Sequence, residues 1–421
     1  MFKFLHAADI HLDSPLRGLE RYDGAPVDEI RGATRRAFEN LTDLAIEEDV
    51  AFVLLAGDLY DGDWKDYNTG LFFARQMARL QEAGIHAYVV AGNHDAASQL
   101  TKVLRPPDNV HVFATRAAET RLIDGLDVAI HGQGFPSREV HNDLSQHYPL
   151  AQPGRFNIGL LHTSLDGRPG HEPYAPCTPT GLRSRGYEYW ALGHVHQREV
   201  ISDAPWIVFP GNIQGRHARE TGAKGCTLVS VDEHRVVGVE HRCLDVVRWA
   251  HCMVDVAAAT TADDVIDRLG EVLGESASRA EGRLLAVRLC LTGASPLHGW
   301  LRAHRERVTN ECRALAVAVG AGEVWVEKVL FETRRLESQA AALARDDAFG
   351  GLLRAIRDAD LDAARLTRLG DELADLNGRL PLELRSGDEA IDLTDPDYIR
   401  DKLEDVKALL LERLLQQGGD A

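Results

Sequence analysis

Short apolar runs alternate with helically spaced ones through the N-terminal part of the chain. Residues 2–8, 51–56 and 86–91 are nearly continuous apolar runs rich in β-branched and aromatic side chains, and they predict buried strands. Between them Ile30, Ala33, Ala37, Leu41, Leu44 and Ala45 recur at helical spacing over about 28–49, and a second helical pattern covers 67–83. This alternation predicts a sheet covered by helices on its faces. Strand patterns then become denser. Residues 122–131 predict a hairpin turning at Asp124-Gly125, while 156–161, 187–192 and 206–209 predict single strands. A loop with Pro169, Pro173, Pro176 and Pro179 intervenes, and a last hairpin runs from Cys226 to about Cys243.

Near Leu244 the pattern changes. Strand patterns at 251–256, 284–291 and 324–331 alternate with helical ones at about 262–276 and 296–316, which predicts a compact α+β unit. No strand pattern follows Thr333; the tail is charged and helical, interrupted at Gly350-Gly351, Pro381 and Gly387. Its last helix opens with Asp395-Pro396, a good N-cap and first-turn pair. Ile399, Leu403, Val406, Leu410 and Leu414 then form an apolar stripe, which Leu409 and Leu411 widen. The expected division is residues 1–244, then 245–333 as the α+β domain, then 334–421 as a helical region.

Composition narrows the class. The 421 residues are 44% hydrophobic and 27% charged, as in ordinary globular proteins of two or three domains. No apolar run approaches the roughly 20 residues that span a bilayer. Asp9 arrives too early for a signal peptide's apolar core. The six cysteines include no Cys-x-x-Cys pair, so buried thiols in a reducing compartment, the cytoplasm, are expected. The formal net charge of −18 disfavours an anionic membrane surface and lacks the basic footprint of a self-sufficient nucleic-acid binder.

Chemistry-bearing residues gather where predicted strands stop. The strand at 86–91 is followed by Gly92-Asn93-His94-Asp95, which by itself reads as a turn. Four other strand ends share the habit: Asp9-x-His11, Gly57-Asp58, His162 and Gly193-His194-x-His196. Functional sites in such sheets collect at the carboxyl ends of strands. Two aspartates, an asparagine and several imidazoles suit transition metals such as Mn, Fe or Zn, and the inventory exceeds one ion's needs. Asp58 is the natural bridge between two ions. His94, one position past a ligand, is placed to face substrate, with Asp95 as the carboxylate expected to orient its ring. His6, inside a strand, reads as a packed core histidine.

These motifs, with Asp61 completing Gly57-Asp58-x-x-Asp61, resemble those of the calcineurin-like metallophosphoesterases across the N-terminal domain. The opening ADIHLDSPL and the stretch FPGNIQGRHARETGAKG resemble the SbcD-type DNA repair exonucleases, and within them a YhaO-like bacterial branch. The resemblance implies an α/β fold: a four-layer sandwich of mixed β-sheets flanked by helices, then a small α+β capping domain and a helical C-terminal region. It implies two Mn2+ ions, one held by Asp9, His11, Asp58 and His196 and one by Asp58, Asn93, His162 and His194. His94 becomes the catalytic histidine, with Asp95 behind it. It further implies DNA as substrate, a homodimer, and a partner ATPase of the SMC/Rad50-like coiled-coil class (SbcC- or YhaN-like), with the Ile399–Leu414 stripe as candidate docking surface. One departure stands out: some relatives carry a histidine where this chain has Asp61.

Arg216, His217, Arg219 and Lys224 form the basic cluster nominated for phosphate contacts. The leading expectation is therefore a dinuclear-metal DNA exonuclease or endonuclease. The same metal chemistry would also serve a phosphatase or a cyclic-nucleotide phosphodiesterase, and a non-catalytic alternative is a DNA-tethering or ATPase-scaffolding subunit.

Overall fold

The computed structural model describes residues 1–14, 25–61, 67–97, 107–165, 174–320, 323–335, 343–380, 384 and 391–417. Pro15 and Leu16 of the opening motif, and the expected breaks at Pro169, Pro173, Pro381 and Gly387, lie outside them. The chain forms two compact units, one of Met1–Cys252, Leu269–Cys290 and Glu311–Leu330, the other of Met253–Arg268, Leu291–Asn310 and Phe331–Ala421.

The first unit is built on two mixed six-stranded sheets. The strands are β1 (Phe2–Ala7), β2 (Phe52–Ala56), β3 (His86–Val90), β4 (Val110–Val112), β5 (Glu119–Ile123), β6 (Val128–Gln133), β7 (Phe156–His162), β8 (Tyr189–Gly193), β9 (Glu199–Asp203), β10 (Trp206–Phe209), β11 (Gly225–Asp232) and β12 (Arg235–Cys243). The first sheet has the order β12-β11-β1-β2-β3-β4 and the second β5-β6-β7-β8-β10-β9. In the first, β1, β2, β3 and β4 run parallel; in the second, β6, β7, β8 and β10 do. The carboxyl ends of each parallel set therefore share one rim of their sheet.

Three apolar layers hold the sheets. Between them lie Phe4, Phe52, Phe156, Ile158, Tyr189 and Val229, with the Phe4 and Phe52 rings stacked at 5.1 Å. The other face of the first sheet packs on α2 (Ala33–Glu47) and α3 (Tyr67–Glu82) through Leu5, Val53, Phe38, Leu41, Phe73 and Met77, while α1 (Val27–Arg31) sets Ile30 in a separate cluster with Val247 and Trp249. The outer face of the second packs Trp190, Leu192 and Phe209 on Tyr148, Leu165 and Leu182. Fully buried strands explain why β2 and β8 read as continuous apolar runs without alternation.

Some local patterns resolve differently from expectation. The helical pattern over 28–49 breaks at Gly32 into α1 and α2. The hairpin of β5 and β6 turns through a 3-10 turn, Asp124–Leu126, with Asp127 left-handed (φ 51°). Strands β4 and β9 carried no readable signal; β4 has three residues, and β9 is half-exposed at a sheet edge. His6 is a core residue, its ring nitrogens 3.0 Å from Tyr189 Oη and 3.1 Å from the Leu192 carbonyl.

Beyond Leu244 the first unit takes in the larger part of a three-stranded sheet of β13 (Val247–Asp255), β14 (Leu284–Thr292) and β16 (Val324–Phe331), β15 being the two-residue strand Ala294–Ser295. In the second unit the terminal helix Pro396–Gln417 packs against helices Ala348–Arg357 and Ala363–Arg379. This packing divides the apolar stripe. Ile399 and Leu411 are buried, whereas Val406, Leu409 and Leu410 stay between 41% and 48% exposed. Among the described residues no helix is long and apolar enough to cross a membrane. No disulfide joins the six cysteines; Cys243 is exposed and Cys252 half-buried.

Gly159 in β7 lies directly under the Trp190 ring, which a Cβ would strike. Gly159→Ala is expected to cost about 1–3 kcal/mol through overpacking, read as a lowered urea midpoint at unchanged slope.

Candidate metal centre

The strand ends reach one place because the segments that follow them are stitched together. After β1, the amides of Asp9, Ile10 and His11 donate to the carbonyls of Gly57 and Asp58, which follow β2. Gly92 sits so close to Asp58 that a Cβ would collide with its carboxylate, and a Cβ on Gly193 would collide with the Ala56 carbonyl. Only glycine lets those chains approach. Asp9 (φ 51°), His11 (φ 46°), Asp58 (φ 51°) and His194 (φ 104°) all hold positive φ. Non-glycine residues in that region cost about 1–3 kcal/mol each and cluster at functional sites.

The side chains converge in three overlapping groups, with ligand atoms within 4.8 Å of one another: Asp9, His11 and His196; His11, Asp58 and His94; and Asp58, His162 and His194. Asn93 joins the last through Oδ1, 3.0 Å from His162 Nε2. All seven expected ligands thus lie together, Asp58 common to two groups. The strand end at Asn93 is the start of α4 (Asn93–Ala97) rather than an open turn, and its His94 amide donates to Asp58 Oδ1 at 2.9 Å.

The donor set fits a pair of cations. Burial pushes the Asp9 carboxyl well above the usual carboxylate range, and the charge of Asp58 adds to this. Asp58 is likewise raised by burial, against the pull of His94. Burial lowers His11 and His196 and takes His162 down to about 3, so these imidazoles are neutral and present lone pairs. His162 Nδ1 donates to the Ala56 carbonyl at 2.9 Å, leaving Nε2 as a lone pair facing Asn93 Oδ1 and, at 3.5 Å, Asp58 Oδ2. His196 Nδ1 donates to Glu220 Oε1 at 2.6 Å, so its Nε2 lone pair faces His11 Nε2 at 3.3 Å and Asp9 Oδ1 at 3.9 Å. Acceptors aimed at acceptors repel unless a cation lies among them.

His94 is oriented by Asp61, not by Asp95. Its Nδ1 lies 2.8 Å from Asp61 Oδ1, while Asp61 Oδ2 accepts from Ser14 Oγ at 2.6 Å. Burial raises the Asp61 carboxyl, but the facing histidines and Ser14 outweigh it and hold it well below the usual range. Burial lowers His94, and Asp61 with the charge of Asp58 more than restores it, so its pKa is raised. The side chain is 33% exposed, so the ring reaches solvent. Asp95 instead accepts backbone N–H groups, from Gly92 and Leu59 at Oδ2 and Tyr60 at Oδ1. Burial, with the charge of Asp58, pushes it up to about 6. It clasps the ends of β2 and β3, a role that adjacency in sequence could not reveal.

Of the nominated basic residues, Arg216 borders the centre: its guanidinium is 3.8 Å from Asp61 Oδ2 and 3.5 Å from Glu220 Oε1. His217 and Arg219 are exposed beside it. Lys224 is a correction: it is buried, and its Nζ donates to the His196 carbonyl at 2.9 Å, so it braces the loop instead of meeting a phosphate. Glu220, buried against His196, carried no signal in a loop of mixed charge. Because Asp95 gathers three backbone donors, Asp95→Asn, which turns an amide N–H₂ toward at least one of them, is expected to cost about 1–3 kcal/mol, measured by chemical denaturation.

Known proteins bear on this geometry. The calcineurin-like phosphoesterase family matches residues 2–198, and the middle domain of the metallophosphoesterase YhaO matches residues 249–334. The uncharacterized metallophosphoesterase YhaO of Bacillus subtilis (strain 168) is 35% identical over 365 residues, 85% of this chain and 88% of that protein. The DNA double-strand break repair protein Mre11 of Sulfurisphaera tokodaii is 26% identical over 243 residues, 54% of this chain and 59% of that protein. That of Methanopyrus kandleri is 25% identical over 364 residues, 79% and 71% respectively. The family works through a pair of divalent metal ions, for which this chain carries candidate ligand clusters. The chain belongs to the calcineurin-like metallophosphoesterases, in the YhaO-like branch, and is by that membership a phosphodiester hydrolase.

Proposed function

We propose that the chain is the nuclease subunit of a DNA repair complex, cutting phosphodiester bonds at two Mn2+ ions. The observation that carries the reading is the convergence of three overlapping ligand groups, two of them through Asp58, with Asp61 holding His94. Asp9, His11, Asp58 and His196 would hold the first ion and Asp58, Asn93, His162 and His194 the second. A bound pair of divalent ions would supply positive charge to the phosphoryl oxygens and lower the pKa of an attacking water. His94 keeps Nδ1 on Asp61, leaving Nε2–H to protonate the leaving ester oxygen as water adds to phosphorus and the P–O bond breaks. Arg216 stands at the centre's edge to steady the phosphate, with exposed His217 and Arg219 further along the strand's path.

DNA as substrate is supported by the relationship to proteins named for double-strand break repair. The net charge of −18 leaves the cations that a phosphate backbone demands to bound metal and a partner. An SMC/Rad50-like coiled-coil ATPase is that partner, with the chain itself acting as a homodimer. Residues 1–244 form the nuclease domain, 245–333 the cap, and 334–421 the docking region, where exposed Val406, Leu409 and Leu410 offer an apolar surface. Six cysteines not joined in disulfides support a cytoplasmic location.

The test is cleavage of linear duplex DNA, single-stranded DNA and bis-p-nitrophenyl phosphate with Mn2+, with and without the partner ATPase. DNA cutting that EDTA abolishes and Mn2+ restores is expected; hydrolysis of the small ester alone would point to a phosphatase or cyclic-nucleotide phosphodiesterase. His94→Gln is expected to lower kcat by ~10²–10⁴-fold, and Asp58→Asn to abolish cleavage while leaving circular dichroism unchanged. Full activity in both variants would overturn this mechanism, whereas a parent chain that cleaves neither DNA nor the small ester would leave only a tethering role. Asp61→Asn is expected to lower kcat by ~10–100-fold with little change in KM, checked by steady-state kinetics on the small ester.

A further inference from the structure

Glu220 is the least expected member of the centre, and its position is inherited from elsewhere. Its Oε1 accepts from His196 Nδ1, and its Oε2 accepts from the Arg216 amide at 2.7 Å and from Asn212 Nδ2 at 3.1 Å. Residues 212–224 carry all of these groups except His196, but they form no helix and little strand. Something outside the loop must therefore hold it.

The holder is the start of β13. Gln214, 2% exposed, uses its whole amide: Nε2 donates to the Gly215 and Val247 carbonyls at 2.9 and 2.6 Å, and Oε1 accepts from the amides of Val246 and Val247 at 2.9 and 3.2 Å. Trp249 Nε1 donates to the Gly215 carbonyl at 2.9 Å, and its own carbonyl accepts from the Gly222 amide at 3.0 Å. The Leu244 amide closes the far end of the loop on the Lys224 carbonyl at 2.9 Å. The Trp249 ring lies in an apolar cluster with Ala218 of the loop, Ala286 and Trp325, meeting Trp325 edge-on at 6.2 Å. Trp249 is also the first residue matched by the middle domain.

We propose that Gln214 and Trp249 are positioning residues of the metal centre. Through the 212–224 loop they set Glu220, and through Glu220 they aim Nε2 of His196. The strand leading into the middle domain thereby sets one half of the centre. The other half has a separate support, since His162 takes its orientation from the Ala56 carbonyl at the end of β2. The consequence is selective: loosening the clasp weakens the ion that His196 holds and spares the one that His162 holds. This rests on the two-ion reading given above.

The experiment uses the full chain, stripped of metal. Equilibrium dialysis against Mn2+ is expected to show two bound ions. Trp249→Phe, which keeps the ring and removes the N–H, and Gln214→Ala are each expected to weaken one ion by up to ~10–100-fold, as loss of a ligand's hydrogen-bond partner does, and to leave the other unchanged. Glu220→Ala should reproduce that selective loss. Leu285→Ala, a core change away from the loop, provides a control for lost stability. In the metal-free chain, the His196 Nδ1–H proton should give a protected NMR signal that weakens in both clasp variants. Equal loss of both ions, the same loss in the control, or an unchanged His196 signal would overturn the proposal. A parent chain that binds no Mn2+ would overturn the two-ion reading instead, while the His196 signal would still decide the positioning role.

Discussion

Two carboxylates, Asp9 and Asp58, are almost wholly removed from water and near enough for the charge of one to act on the other, and the rest of the site answers to that cost. Burying one carboxylate is expensive, and burying two that repel is worse unless positive charge lies among them. Burial keeps His11, His162 and His196 neutral, so these three side chains do not supply it, and the pull of His94 on Asp58 does not offset the burial. The protein offers lone pairs and negative charge to a space between them. Divalent cations are what such a space accepts.

Holding that arrangement requires backbone that would otherwise relax. Four of the ligand positions sit at positive φ, and the glycines beside them permit approaches that any Cβ would block. The restoring force comes from the sandwich, whose inner layer of stacked Phe4 and Phe52 and buried Tyr189 fixes the strands from which these segments spring. Hydrogen bonds from Asp9, Ile10 and His11 to the loop after β2, and the three backbone groups gathered by Asp95, then tie the strand ends to one another. The centre is strained locally and supported globally.

The carboxylates outside the first shell divide their tasks by geometry. Asp61 faces His94, Glu220 faces His196 and Asp95 faces the backbone, although in sequence Asp95 is the one adjacent to a histidine. The short helix that begins at Asn93 explains the inversion: neighbouring side chains on a helix point about 100° apart, so residue 95 cannot lie behind residue 94. The same loop that brings Glu220 to His196 also brings Arg216 to Asp61, so the two halves of the outer shell share a single support.

How much of this was legible follows from what sequence pattern encodes. Apolar runs ending in Asp, Asn and His announced the strands, the sheet class and the seven side chains that gather at the centre, because each is a local feature: a strand's burial and the residue types that close it. The edge strand β9 left no pattern because it is only half-covered. The stripe on the terminal helix was readable, but which of its members would be buried depended on two neighbouring helices. Orientation was likewise beyond reach. That Asp61 pairs with His94, that Lys224 turns inward to the His196 carbonyl, and that Glu220 stands behind His196 all depend on residues far apart in the chain meeting at hydrogen-bonding distance. Sequence spacing specifies which groups arrive at a strand end; only packing of one strand end against another specifies which atoms they face.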